Sequence, residues 1–193
     1  MGSRPIMLAT QSKTTQQAQS LHAPTEHPLN TPQFRNMTPA DGPTVVALNQ
    51  AVVDVTSPMD LTRFNALYQL CDLKQVAELN GDVVAFIWGM TDHAAYDNGN
   101  YQWFAARLRR FLYIDRIVVS GHCRGMGLGR QLYAQATKQS AAIGALTICA
   151  EIDIDPPNPI SLRFHEKTGF VQMGTRRLAS GKRVSMQILS VAQ

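Results

Sequence analysis

From residue 33 onward the apolar positions alternate between a period of two and a period near 3.6, so strands and helices can be read off in turn. Residues 34–37 predict a short strand. Thr38-Pro39-Ala40-Asp41-Gly42-Pro43 opens a helix, with Thr38 or Asp41 as cap and Pro43 in the first turn. Val45, Leu48, Ala51, Val52 and Val55 follow at helical spacing until Ser57-Pro58. Residues 61–70 predict a second helix, with Leu61, Phe64, Leu67, Tyr68 and Cys71 along one stripe. Residues 73–79 and 83–90 predict two strands joined by Asn80-Gly81-Asp82, a hairpin signal. Residues 91–100 are polar and read as a loop; residues 101–110 mix aromatics with arginines and have no clear period.

The second half reads as a strand over 111–119, a glycine-rich turn, a helix from Gly127 to about Ile143 and a strand over 146–153. After Asp155-Pro156-Pro157 comes a helix over 159–167, closed by Gly169. Residues 170–177 and 183–189 form a last hairpin across Ala179-Ser180-Gly181-Lys182. The order β-α-α-β-β-β-α-β-α-β-β is α+β, or mixed α/β, with the unit 111–153 expected to be parallel.

Composition narrows the setting. The chain has 193 residues, 45% of them hydrophobic and 17% charged, enough for one proper core. Residues 1–32 are rich in Gln, Thr, Ser and Pro and are expected to be a disordered tail or leader, before one domain over 33–193. A net charge of +4 suits an anionic ligand but is too small to argue for nucleic acid. The 3 cysteines (Cys71, Cys123 and Cys149) form no C-x-x-C, and with no apolar signal core the expected place is the cytoplasm, off the membrane. A homodimer is left open. The 5 histidines show no metal-ligand spacing.

Ile117-Val118-Val119-Ser120-Gly121-His122-Cys123-Arg124-Gly125-Met126-Gly127-Leu128-Gly129-Arg130 carries the candidate chemistry. Alternate glycines after a strand, opening a helix, leave main-chain N–H groups bare for an anion. A dinucleotide fingerprint needs a third glycine where Arg130 stands, and a P-loop needs a lysine that is missing. What is left, Arg124-x-x-Gly127-x-Gly129, resembles the R/Q-x-x-G-x-G/A loop with which GNAT acetyltransferases hold the pyrophosphate of acetyl-CoA. A second segment, Asn158-Pro159-Ile160-Ser161-Leu162-Arg163-Phe164-His165-Glu166-Lys167-Thr168-Gly169-Phe170, is similar to the N-x-x-A-x-x-F-Y-E-K-x-G-F segment of the same superfamily and lies in the same order. The resemblance covers roughly residues 34 to 190.

The resemblance implies a GNAT acyl-CoA N-acyltransferase fold: a mostly antiparallel central sheet with one splayed parallel pair, flanked by helices. It also implies an acetyl-CoA-dependent N-acetyltransferase acting on a primary amine of a small molecule, peptide or protein. Ile117, Val118 and Val119 would offer main-chain partners to the pantetheine arm. Arg124, Gly125, Met126, Gly127, Leu128 and Gly129 would hold the diphosphate; Arg130 either joins them or is a solvated surface arginine. Asn158, Ser161 and His165 share a helical face bordering that arm. His165 stands where many members carry a proton-donating tyrosine; it either protonates the leaving thiolate or fills space.

For the proton taken from the amine, Glu151 is favoured, with Asp153 on its face of the strand. Asp115, on the face of Ile117 and Val119 by the same alternation, is the other candidate. Each carboxylate can equally be an ion-pair partner of nearby arginines. Cys123 beside Arg124 is either a covalent acetyl carrier or a small loop side chain. Trp88, Tyr96, Tyr101, Trp103 and Arg107 are candidates for the acceptor site, or the aromatics are core. Two rival readings are a CoA-binding regulatory module without turnover, suggested by His165, and a nucleic-acid binder, suggested by Arg107-Leu108-Arg109-Arg110 and Arg176-Arg177.

Overall fold

The computed structural model describes residues 31–191. Most of the tail expected over 1–32 lies outside the described residues. Seven strands form one sheet in the order β1-β2-β3-β4-β5-β7-β6. They are β1 Gln33–Asn36, β2 Leu73–Leu79, β3 Asp82–Thr91, β4 Phe111–Val119, β5 Thr147–Asp155, β6 Val171–Arg177 and β7 Arg183–Ser190. Five α-helices connect them: α1 Gly42–Gln50, α2 Leu61–Leu70, α3 Gly99–Ala105, α4 Leu128–Ala142 and α5 Pro159–Thr168. Every strand pair is antiparallel except β4 with β5.

Local chemistry sets the helix ends. Asp60 caps α2 by accepting from the Arg63 N–H at 2.7 Å. Asn98 caps α3, accepting from Asn100 and Tyr101 at 2.8 and 3.2 Å. α3 is an element that the sequence reading left without a period. Its signal is the capping Asn98 followed by apolar Tyr101 and Phe104, both buried. The first helix is shorter than expected: α1 ends at Gln50, and Val53–Val55 forms a single 3-10 turn. The β-branched run there is a poor helix former, and Val55 turns outward, half exposed.

The sheet carries a core on each face. Val45 of α1, Phe64 and Leu67 of α2 and Phe104 of α3 pack on one face with Phe86, Trp88 and Tyr113. Leu128, Leu132, Tyr133 and Ala136 of α4 pack on the other with Ile87, Leu112, Ile114 and Ile148, alongside Leu162 and Phe164 of α5. Successive side chains of β3 and β4 thus divide between the two cores, as the pleat requires.

One irregularity shapes the site. Trp88 of β3 pairs with Arg116, but Gly89 pairs with Ile114, so Asp115 is an extra residue in β4. The bulge flips the alternation. Phe111, Tyr113 and Val118 face the α1–α3 side, whereas Leu112, Ile114, Ile117 and Val119 face α4 and α5. Asp115 therefore shares its face with Arg116, not with Ile117 and Val119 as strict alternation would have it. Its carboxylate accepts from Arg116 Nε at 3.0 Å on that shared face.

Candidate active site

β4 and β5 pair only through Phe111–Thr147, Leu112–Ile148 and Tyr113–Cys149. Beyond these residues β4 keeps β3 as its neighbour and β5 keeps β7, while no strand pairing joins the two. The strands splay at the bulge. Ile117, Val118 and Val119 thus run along a strand edge whose far side has no ladder, as a main-chain site for an extended ligand arm requires.

The glycine loop stands at the open end. Gly125 and Gly127 have φ of 83° and 76°, the left-handed region where a Cβ is strained. Gly129 serves packing instead: a Cβ there would sit 3.2 Å from the Phe164 ring. No side chain caps α4. The N–H groups of Gly125, Gly127, Leu128, Gly129 and Arg130 have no acceptor among the described residues, whereas the Met126 N–H bonds the Cys123 carbonyl at 3.4 Å. A row of unpartnered donors at the positive end of a helix fits a diphosphate. Arg124 and Arg130 are both exposed beside it. Cys123 is buried and unbridged, a thiol tucked under the loop.

On the α1–α3 side of the splay lies a cavity of about 400 Å³. Asp115 and Arg116 of β4, Glu151 and Asp153 of β5, and Asn158 and Ser161 of α5 line it, with Asn100, Arg176 and Lys182. Glu151 and Asp153 share a face, as alternation predicts. Tyr113 Oη donates to Glu151 Oε2 at 2.8 Å. Burial pushes the Glu151 carboxyl up to about 7, against the pull of the hydrogen bonds from Tyr113 and Asn100. Burial also drives the Tyr113 phenol well above its ordinary value, so it stays a donor. Asp153 is paired with Lys182 at 3.0 Å. Asp115 is held from three directions: Arg116, Trp88 Nε1 at 3.1 Å and Tyr96 Oη at 2.7 Å. These three bonds tie the Asp115 side chain to the core on the α1–α3 side.

His165 does not line the cavity. It is 4% exposed, wedged between α5 and α4. Its Nδ1 lies 2.8 Å from the Ser161 carbonyl, which can only accept, so Nδ1 carries the proton. Its Nε2 then accepts from Tyr133 Oη at 2.8 Å. Burial lowers its pKa, keeping the ring neutral. The side chain placed in sequence as a proton donor has both nitrogens satisfied inside the fold. Asn158, on the same helix, caps α5 through Oδ1 to the Ser161 N–H at 3.1 Å.

The aromatic candidates for the acceptor site are placed differently. Trp88, Tyr96 and Tyr101 are buried core residues, and Tyr101 donates to the carbonyls of Thr91 and Ala94 at 2.8 and 3.1 Å. Trp103 packs outside the cavity against Gly174, with the Arg107 guanidinium 4.0 Å above its ring. Arg109 and Arg110 donate to main-chain carbonyls of Ala105 and Gly144. The residues that do reach it include Asn100 and Arg176, which the sequence reading did not single out for the site.

Among the described residues no group of three His, Cys, Asp or Glu is arranged to hold a metal, and no helix is long and apolar enough to cross a membrane. Ard1 from Thermoplasma volcanium shares the fold at a TM-score of 0.69 and 19% identity, over 84% of this chain and 99% of that one. The ribosomal-protein-S18-alanine N-acetyltransferase from Escherichia coli follows at 0.65 and 16%, over 84% and 96%. The protein yncA from Salmonella typhimurium, solved with its cofactor acetyl-CoA, aligns at 0.63 and 19%, over 84% and 95%. No curated protein sequence matches. The description "Acetyltransferase (GNAT) family" matches residues 48–170. With that match over most of its length and the splayed β4–β5 pair beside an uncapped glycine loop, the chain belongs to the GNAT family of acetyltransferases.

Proposed function

We propose that this chain is an acetyl-CoA-dependent N-acetyltransferase that acts on a primary amine by direct transfer, with Glu151 as the proton acceptor. The observation that carries the reading is Glu151 itself. It is a cavity-lining carboxyl raised to about 7, on the strand that splays from β4. A base poised near neutral pH takes a proton from an amine without holding it too tightly.

The loop N–H groups from Gly125 to Arg130 and the Arg124 guanidinium would hold the diphosphate. The free edge of β4 at Ile117–Val119, with Asn158 and Ser161, would hold the arm. Acetyl-CoA, when bound, supplies an acetyl group on a thioester. A main-chain N–H on the edge of β4 polarises the carbonyl. One N–C bond forms as one C–S bond breaks; the amine proton passes to Glu151 Oε, and the sulfur takes a proton from solvent. Asp115 fixes the bulge, and His165 holds Ser161 and α5 in place.

The test is thiol release from acetyl-CoA across amines, amino acids, polyamines and short peptides, with acetyl-CoA binding followed by thermal shift. Release with one acceptor class supports the enzyme. Binding without release favours the regulatory module, for which the enclosed His165 argues. No binding would overturn the glycine loop as a cofactor site.

A further inference from the structure

Three carboxylates and three cations line the cavity. Two pairs are settled: Asp115 with Arg116 and Asp153 with Lys182, each at 3.0 Å. Glu151 and Arg176 are left over. Among the described residues neither has an oppositely charged side chain within ion-pair distance. Asn100 lines the same cavity beside Arg176, and its Oδ1 accepts from Arg176 at 2.5 Å.

Arg176 is held in this place. Its partner in the β6–β7 register is Val184, another cavity-lining residue, so the pleat turns Arg176 toward the cavity. A Cβ at Gly99 would collide with the Arg176 guanidinium, so the glycine leaves room for it. A guanidinium has five N–H donors in a rigid fork, and one goes to Asn100. A half-buried cation with open donors and no counter-ion favours binding a planar anion bidentately.

We propose that Arg176 anchors the carboxylate of the acceptor, and that the acceptor is a free α-amino acid with its nitrogen at Glu151. This rests on the reading of the site as an amine acetyltransferase. The two unmatched groups line one small cavity, with Asn100 bonded to Arg176 beside them, so the spots for the nitrogen and the anion share one space. In an α-amino acid one carbon separates the amine from the carboxylate. A polyamine has no anion to offer, and a peptide N-terminus has an amide where the carboxylate would be. A cavity of about 400 Å³ also suits a small ligand.

The test compares free amino acids with their amides and their decarboxylated amines in the thiol-release assay. The expected kcat/KM preference for the acids is on the order of 100-fold. Arg176→Gln should collapse that ratio toward unity by raising KM for the acids, and Arg176→Lys should restore part of it. A ratio between two acceptors does not respond to general damage of the fold. Calorimetry with the N-acetylated amino acid and its amide gives a readout that needs no turnover. Acid-selective binding lost in Arg176→Gln supports the anchor, even without thiol release, which would overturn only the transfer reading. Amides turned over as well as acids, or a ratio unchanged in Arg176→Gln, would overturn the anchor and leave acetyl transfer standing. No release and no acid-selective binding would overturn both.

Discussion

The Tyr133 hydroxyl of α4 donates to His165 Nε2 of α5 at 2.8 Å, and this bond ties the two site-bearing helices together under the splay. Tyr133 is buried, so its hydroxyl has no water to turn to. His165→Phe should therefore destabilise the protein by about 1–3 kcal/mol, read as a drop in Tm. Burial lowers the His165 pKa below its unfolded value near 6.5. Its contribution to stability is fully present above that pH and is lost as pH falls through the folded value. The Tm gap between wild type and His165→Phe should thus be wider at pH 8 than at pH 5. A turnover loss of about 100-fold at unchanged Tm would give His165 a proton-transfer role instead.

Glu151 must be ionised to accept a proton, and its carboxyl is raised to about 7. Turnover should rise with pH through an inflection near that value. Glu151→Gln should remove the inflection and lower kcat by roughly 100- to 10,000-fold. Stability runs the other way. A carboxyl raised on folding favours the native state below its unfolded pKa, and that contribution is lost as pH rises through about 7. Glu151→Gln should therefore melt no lower than wild type at pH 8. A lower Tm there would mean that the charged form is structural.

Arg124 is exposed beside the uncapped start of α4. Arg124→Glu should leave the stability of the free protein within about 0.5 kcal/mol of wild type. Its affinity for acetyl-CoA should fall by at least about tenfold, because an attractive charge becomes a repulsive one. Isothermal titration decides the point, and unchanged affinity would remove Arg124 from the cofactor site.

Gly99 lies against the Arg176 guanidinium with no room for a methyl group. Gly99→Ala should push Arg176 aside and raise the acceptor KM, while acetyl-CoA affinity stays as it was. Alanine is the better helix former, so stability should not suffer from propensity. An unchanged KM for every acceptor would show that Arg176 need not hold that position.

The glycine loop and the order of strands and helices around it were legible in the residues, because φ-demanding glycines, caps and hydrophobic periods act within a few positions of one another. Glu151 and Asp153 were placed on one face correctly, since β5 runs through that stretch without an extra residue. Asp115 was not. Its side is set by a bulge that exists only where β4 meets β3, and nothing within β4 announces it. Trp88, Tyr96 and Tyr101 looked like acceptor contacts because aromatic residues serve cores and sites alike. Only packing against α1–α3 shows that they fill the core, with Trp88 and Tyr96 also holding Asp115. Arg176 and Asn100 lie 76 residues apart and meet through sheet register and one glycine. Local spacing, then, determined the glycine loop and the element order apart from α3. Tertiary pairing alone decided which charges in the cavity are paired and which are not, because ion pairing depends on distances in space that sequence separation does not constrain.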